Sequence, residues 1–255
     1  MTMALLVRHR TLLVSLGLVA VAIGLWQLLV PAFAVPRYVL PTPAEIARAA
    51  VKSHHVLLAG LEKTAVGAFT GFVAGNVAGF LAAVAMASSL TASRVVLPMA
   101  VGIRSIPIIA LTPFLTLLLG RGLVTVMTIS ALIVFFPTLV NGVLGLRSTE
   151  ESALELMRVL NAPWWEVFWR VRLPTALPAL FAAFRVAAAS CVLGALVAEW
   201  VASGSGLGQV ILQSGVQFEV PLMWSGVVVS TLLAIVAFSV VSWAEKRVVG
   251  WQPQS

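Results

Sequence analysis

Apolar residues fall into six long runs along this chain, with the polar positions gathered between them. The runs cover residues 11–30, 64–87, 95–119, 123–146, 175–201 and 221–244. Each holds about 20 residues or more, enough to cross roughly 30 Å of hydrocarbon at a helical rise of about 1.5 Å per residue. The alternating short segments of a membrane barrel are missing. The pattern therefore predicts an all-α membrane protein of six transmembrane helices, a single domain over residues 1–255.

One polar stretch interrupts the runs for longer than any connecting turn needs. Residues 147–174 read RSTEESALELMRVLNAPWWEVFWRVRLP, with Glu150, Glu151, Glu155 and Glu166 beside Arg147, Arg158, Arg170 and Arg172. A charged, amphipathic segment hung between spans is where a membrane protein meets a soluble partner. Trp164, Trp165, Phe168 and Trp169 are expected to pack it onto the membrane helices and the head-group zone.

Smaller features sit inside or beside the runs. Gly67, Gly71, Gly75 and Gly79 recur every fourth residue, a helix face that lets another helix approach closely, and Asn76 beside it is expected to bond to a neighbouring helix. Pro98, Pro107 and Pro113 break the third run. Thr42-Pro43-Ala44-Glu45 reads as a helix start, so a short surface helix is expected after the first span. Ala32-Phe33-Ala34 resembles a signal cleavage site, but the first apolar run exceeds the roughly 7–15 residues of a signal h-region, which favours a retained anchor helix. Arg104, Arg185 and Glu199 are the ionisable residues placed at membrane depth, where such groups face a bundle interior or a cavity; they are the candidates for a translocation path.

Composition confirms the membrane class. The chain is 60% hydrophobic and 10% charged, against about 25% charged in a soluble domain. Its +7 charge lies in loops rather than in a basic patch, so lipid head groups and not nucleic acid explain it. With an internal N-terminus, Arg8, Arg10, Arg94, Arg147, Arg158, Arg170, Arg172, Lys246 and Arg247 face the cytoplasm, and Arg37, Arg48, Lys52, Lys63 and Arg121 lie outside. Nine against five obeys the positive-inside rule and places both termini and the 147–174 loop in the cytoplasm.

Catalytic chemistry is scarce. The chain has no aspartate, its histidines are His9, His54 and His55, and no cluster offers a metal site. None of Lys52, Lys63 and Lys246 follows a glycine, so there is no phosphate-cradling Walker loop. The chain is not expected to be an enzyme or to carry a cofactor. Cys191, the lone cysteine, lies in an apolar run as a small core residue.

The spacing of the charged loop carries a resemblance. Glu155-Leu156-Met157, then Asn161, then Val171-Arg172-Leu173-Pro174 is similar to the EAA loop of permease subunits of binding-protein-dependent ABC importers. That motif has an acid with two small residues, a glycine, and an I-x-L-P ending. Leu156 and Met157 are bulkier than the motif's small residues, and Asn161 replaces its glycine. Asn is the non-glycine residue best suited to a left-handed backbone, so that departure is mild. Leu40-Pro41-Thr42-Pro43, Ile106-Pro107, Thr112-Pro113-Phe114, Phe135-Phe136-Pro137, Gly145-Leu146-Arg147-Ser148, Ala198-Glu199 and Gly206-Leu207-Gly208 further resemble the nitrate, sulfonate and taurine branch. Glu199-Trp200 looks more like members serving pyrimidine precursors of thiamine.

The resemblance implies a type I importer permease fold with a cytoplasmic coupling helix, in a bacterial inner membrane. It implies two permease copies, two cytoplasmic ATPases that bind the ATP and Mg, and an extracytoplasmic substrate-binding protein or lipoprotein. Glu155, Leu156, Met157, Arg158, Asn161, Ala162 and Pro163 would then make the ATPase contact. The alternative is a stand-alone secondary transporter or channel, which needs a coupling acid in the bundle; only Glu199 is available. An intramembrane enzyme lacks a constellation to work with. The charged loop is explained only by the importer.

Overall fold

The computed structural model describes residues 2–87, 102 and 107–250. Every regular element among them is helical. Helix α1 covers Thr2–Ala32, α2 Pro43–Lys52, α3 His54–Ala87, α4 Ile108–Leu119, α5 Leu123–Arg147 and α6 Glu151–Val159. A continuous α7 runs over Trp164–Ala202, followed by α8 (Leu207–Val216) and α9 (Val220–Val248). Helices α3, α5, α7 and α9 are long and apolar enough to cross a membrane, and Gly17–Ala32 of α1 and all of α4 are shorter apolar helices. These six fall one in each apolar run of the sequence. Pro98 and Arg104 in the third run lie outside the described residues.

Helices outlast the apolar runs that mark them. Helix α3 starts at His54 rather than near residue 64, and α7 at Trp164 rather than near residue 175. Hydropathy registers only the lipid-facing part, whereas backbone hydrogen bonding carries a helix on into the interface until a proline or a cap stops it.

The chain divides into two compact units, one of Met1–Leu58 with Val210–Val228 and one of Ala59–Gln209 with Val229–Ser255. In the first, Thr42 and Glu45 form a reciprocal capping box at the start of α2. The Glu45 N–H donates to Thr42 Oγ1 at 3.3 Å, and the Thr42 N–H donates to Glu45 Oε2 at 3.0 Å. Arg37 pairs with the same carboxylate at 2.8 Å. Trp26 and Trp224 meet edge to face, with ring centroids 5.6 Å apart. Ser225 Oγ donates to the Ile46 carbonyl at 2.9 Å, tying α9 to α2.

The second unit is built on α5, which lies between α3 and α7. The glycine stripe of α3 faces α5: a Cβ on Gly75 would meet the Ala131 backbone, and one on Gly79 would come within 2.7 Å of the Phe135 carbonyl oxygen. Thr138 Oγ1 of α5 donates to Asn76 Oδ1 at 2.6 Å, and Asn76 Nδ2 donates to the Phe72 carbonyl at 2.8 Å. On the other side α7 buries Ala176, Leu180, Ala183, Ala187, Cys191, Ala195 and Ala198, a seam of mostly small residues spaced three or four apart. Gly142 and Gly145 of α5 approach it at Leu180 and Ala176. Lipid supplies no hydrophobic drive between helices, so this close backbone contact and its few hydrogen bonds hold the unit together.

The packing and the capping box each set an expected outcome. Gly75→Val drives a side chain into backbone that cannot yield and is expected to cost about 1–3 kcal/mol or more. Thermal unfolding in detergent, read by a thiol-reactive fluorophore on buried Cys191, should begin at lower temperature for Gly75→Val. Gly17→Val, where nothing lies within 4 Å, should leave it unchanged. The second outcome concerns pH. The Thr42 N–H, with help from the Thr42 hydroxyl, Arg37 and Arg48, holds the Glu45 carboxyl below its ordinary value, outweighing the opposing effect of burial. A folded-state value below the unfolded one stabilises α2 at higher pH, and that stability is lost as pH falls through the folded value. Hydrogen exchange across α2, corrected for intrinsic rates, should therefore rise as pH falls below the ordinary carboxylate range. The rise should vanish in Glu45→Gln.

Candidate functional site

The charged loop folds from the end of α5. Ser148 Oγ donates to the Gly145 carbonyl at 2.8 Å and closes that helix. Helix α6 then runs for nine residues. It carries Glu151 in its first turn and Arg158 in its last, signs that complement the helix dipole. Arg158 Nη2 reaches Glu151 Oε1 at 3.1 Å, but both side chains are exposed, so the pair adds little. Nine residues are too few for a helix to persist alone in water.

Its C-terminus supplies the missing definition. The Asn161 N–H donates to the Arg158 carbonyl at 3.0 Å, and the Ala162 N–H to the Met157 carbonyl at 3.0 Å. These are the two bonds of a Schellman cap, which needs a left-handed residue between them. Asn161 is that residue, with φ 50°. Pro163, two residues on, is extended and cannot prolong α6; it occupies the N-cap position of α7 instead. Glu155, Leu156, Met157, Arg158, Asn161, Ala162 and Pro163 thus share one short projecting helix and its cap.

The face of this projection is apolar and uncovered. Leu156 is 59% exposed, Val159 81% and Leu160 65%. Glu155 lies among them, exposed, and its carboxylate bonds to no described residue. Glu150 and Glu151 add to an acidic rim on which Arg158 is the one cation of α6.

The projection is fixed to the bundle through Phe168. That ring is 8% exposed and packs in one cluster with Ala83 of α3, Leu139, Val143 and Leu146 of α5, and Ala176 and Leu180 of α7. Trp164 stacks on it, with centroids 5.5 Å apart. Trp164, Trp165 and Trp169 themselves stay 58–63% exposed, so Phe168 is the one of the four that the helices bury, and the tryptophans are left for the head-group zone or a partner. The segment Val171–Pro174 lies within α7 and not in a loop. Phe168–Arg172 forms a π-helical turn in which the Leu173 N–H bonds back to the Phe168 carbonyl. A proline ring clashes with the carbonyl four residues earlier and lacks a donor, so a widened turn just before Pro174 gives it room.

The residues at membrane depth have other company. Arg185 Nη1 pairs with Glu245 Oε2 of α9 at 2.9 Å. Glu199 is 1% exposed at the end of α7. Its carboxylate accepts from Thr64 Oγ1 of α3 at 2.8 Å and from the Gly208 N–H of α8 at 2.8 Å. Thr64 Oγ1 in turn accepts from the Leu207 N–H at 2.8 Å. Gly206, at φ +106°, lies directly against the Glu199 carboxyl, where any Cβ would collide with it. Arg104 lies outside the described residues. Sequence reasoning marked Glu199 and the glycines separately and missed Thr64; an acid followed by a Gly-x-Gly turn was the available signal. Among the described residues, no group of three or more potential ligands could hold a metal ion.

Comparison with known proteins agrees with this architecture. Residues 75–250 match the family described as "Binding-protein-dependent transport system inner membrane component". The formylaminopyrimidine transport permease protein ThiX of Halalkalibacterium halodurans is 29% identical over 216 residues, covering 84% of this chain and 86% of ThiX. The putative aliphatic sulfonates transport permease protein SsuC of Bacillus subtilis is 28% identical over 243 residues, covering 93% and 87%. The MetNI methionine ABC transporter, solved in inward-facing conformations, superposes with a TM-score of 0.66 at 23% identity, over 78% of this chain and 97% of that one. At that identity the likeness shows the fold, and with the family match it makes this chain a multi-pass inner-membrane permease subunit of a binding-protein-dependent ABC importer.

Proposed function

We propose that this permease couples ATP hydrolysis on a cytoplasmic partner to solute movement through helix α6. The observation that carries the reading is the uncovered Leu156–Val159–Leu160 face, edged by Glu155 and ended by the Asn161 cap. A short amphipathic helix held out from a rigid bundle suits a groove on a second protein. The unpartnered acid calls for a basic residue on that groove's edge.

The assembly is the one that the family implies. Two copies of the chain enclose a path, two ATPases bind ATP and Mg, and an extracytoplasmic binding protein delivers the solute. Closure of the ATPase pair moves both α6 helices. Because Phe168 buries the start of α7 among α3 and α5, the displacement passes to whole helices rather than bending a loop. The solute is a small molecule of the nitrate, sulfonate or taurine type, or a pyrimidine precursor of thiamine; the names of ThiX and SsuC, a formylaminopyrimidine and an aliphatic sulfonates permease, favour the pyrimidine and sulfonate members of that range. A stand-alone transporter would need a free coupling acid. Glu199, the acid available, is already held by Thr64 and Gly208.

Two variants test the coupling. Glu155→Lys should lower ATP-dependent uptake about tenfold or more, the effect of losing about 1.4 kcal/mol at the contact. Its thermal stability should not change; wild-type uptake would remove Glu155 from the coupling. Asn161→Val places a β-branched residue in the left-handed region, at a cost of about 1–2 kcal/mol. It should impair uptake, whereas Asn161→Gly should keep it. Equal activity of Val and Gly at this position would show that the cap does not matter.

A further inference from the structure

At the end of the second unit remote from α6 lies a cavity of about 450 Å³, lined by Lys63, Arg121, Leu123, Glu199, Ser203 and Ser205 among others. Sites for small molecules have volumes of about 300–1,000 Å³. Its walls are fixed. Arg121 sits on a turn between Gly120 at φ +80° and Gly122 at φ +133°. The Gly122 N–H bonds to the Ala202 carbonyl at 2.6 Å, and Thr125 Oγ1 to the Gly120 carbonyl at 2.6 Å. The Ser203 hydroxyl donates to the Ser205 carbonyl at 2.9 Å. Glu199 is engaged with Thr64 and Gly208.

Lys63 and Arg121 are exposed and not so engaged: neither side chain has a hydrogen bond or ion pair with a described residue. Two cations lining one cavity favour an anion there. Arg offers a planar fork of donors to an oxyanion, and Lys a compact charge. The single carboxylate present leaves an excess of one positive charge. Leu123 gives the cavity an apolar side. Helix α5 begins here and ends at the α6 loop about 37 Å away, so the cavity opens on the side expected to be extracytoplasmic.

We propose that this cavity receives the oxyanion group of the transported solute, a sulfonate, carboxylate or phosphate, on Lys63 and Arg121. This deepens the importer reading and rests on it. Arg121 clamps the oxyanion, Lys63 balances its second oxygen, and the apolar wall takes the solute's carbon end.

The test uses the permease purified with its ATPase in a nonionic detergent. Acetylation of Lys63 by a neutral amine reagent is followed by peptide mass spectrometry, with exposed Lys52 as internal reference. Methanesulfonate at about twice its Kd should slow Lys63 labelling about threefold, as simple occupancy requires, and leave Lys52 unchanged. Dimethyl sulfone, of the same shape without charge, should not. Protection should be lost in Arg121→Gln and kept in Arg121→Lys, with Cys191 reactivity confirming that both fold. No protection by methanesulfonate, equal protection by the sulfone, or protection by phosphatidylglycerol alone would overturn the proposal. The last would make this a lipid head-group site. If these fail while the ATPase co-purifies, only the anion site fails; if no ATPase co-purifies, the importer reading falls first.

Discussion

Close approach of backbones inside lipid is the constraint on which this structure depends. Burying leucine against leucine gains little where lipid tails are equally apolar. Helices therefore associate by removing what keeps them apart and by sharing a few polar bonds. Gly71, Gly75 and Gly79 do the first on α3, and Gly142 and Gly145 on α5. The Thr138–Asn76 bond does the second. Helix α5, closely packed on both sides, connects one end of the unit to the other.

On the proposed reading, that close packing gives the projecting helix its use. Helix α6 makes few contacts of its own and would be marginal in isolation. Its position comes from α5 entering it, Asn161 ending it and Phe168 pinning the first turns of α7. On that reading, a force on its exposed face reaches α3, α5 and α7 together. At the other end, Glu199, Thr64 and the Gly206 turn lock α7, α3 and α8. An ionisable group in the membrane here joins helices, a second way to meet the cost of burying charge besides facing a path.

Much of this was legible in the sequence, for reasons that differ by element. The six apolar runs are a one-dimensional signal that lipid imposes directly. The glycine period of α3 needs only helical geometry to become a face. Asn161 could be read as left-handed because the motif's spacing set it where a glycine belongs. The helix starts at His54 and Trp164 were hidden, because hydropathy does not record backbone bonding outside the hydrocarbon. The difference between Phe168 and its tryptophan neighbours was hidden too. All four are aromatic and close in sequence, and no local pattern says which one the neighbouring helices bury. Thr64 meets Glu199 across 135 positions of sequence, a pairing that no local pattern announces.

The most direct measurement of the central claim is site-specific photocrosslinking from Val159, the most exposed residue of the α6 face, in native membranes. The account predicts a single main adduct with a Walker-motif ATPase. It also predicts that the adduct weakens when Glu155 is reversed in charge, and that it is absent when the probe is moved to exposed Leu81 on α3. An ATPase adduct from Leu81 and none from Val159 would contradict it, and would remove α6 from the coupling pathway.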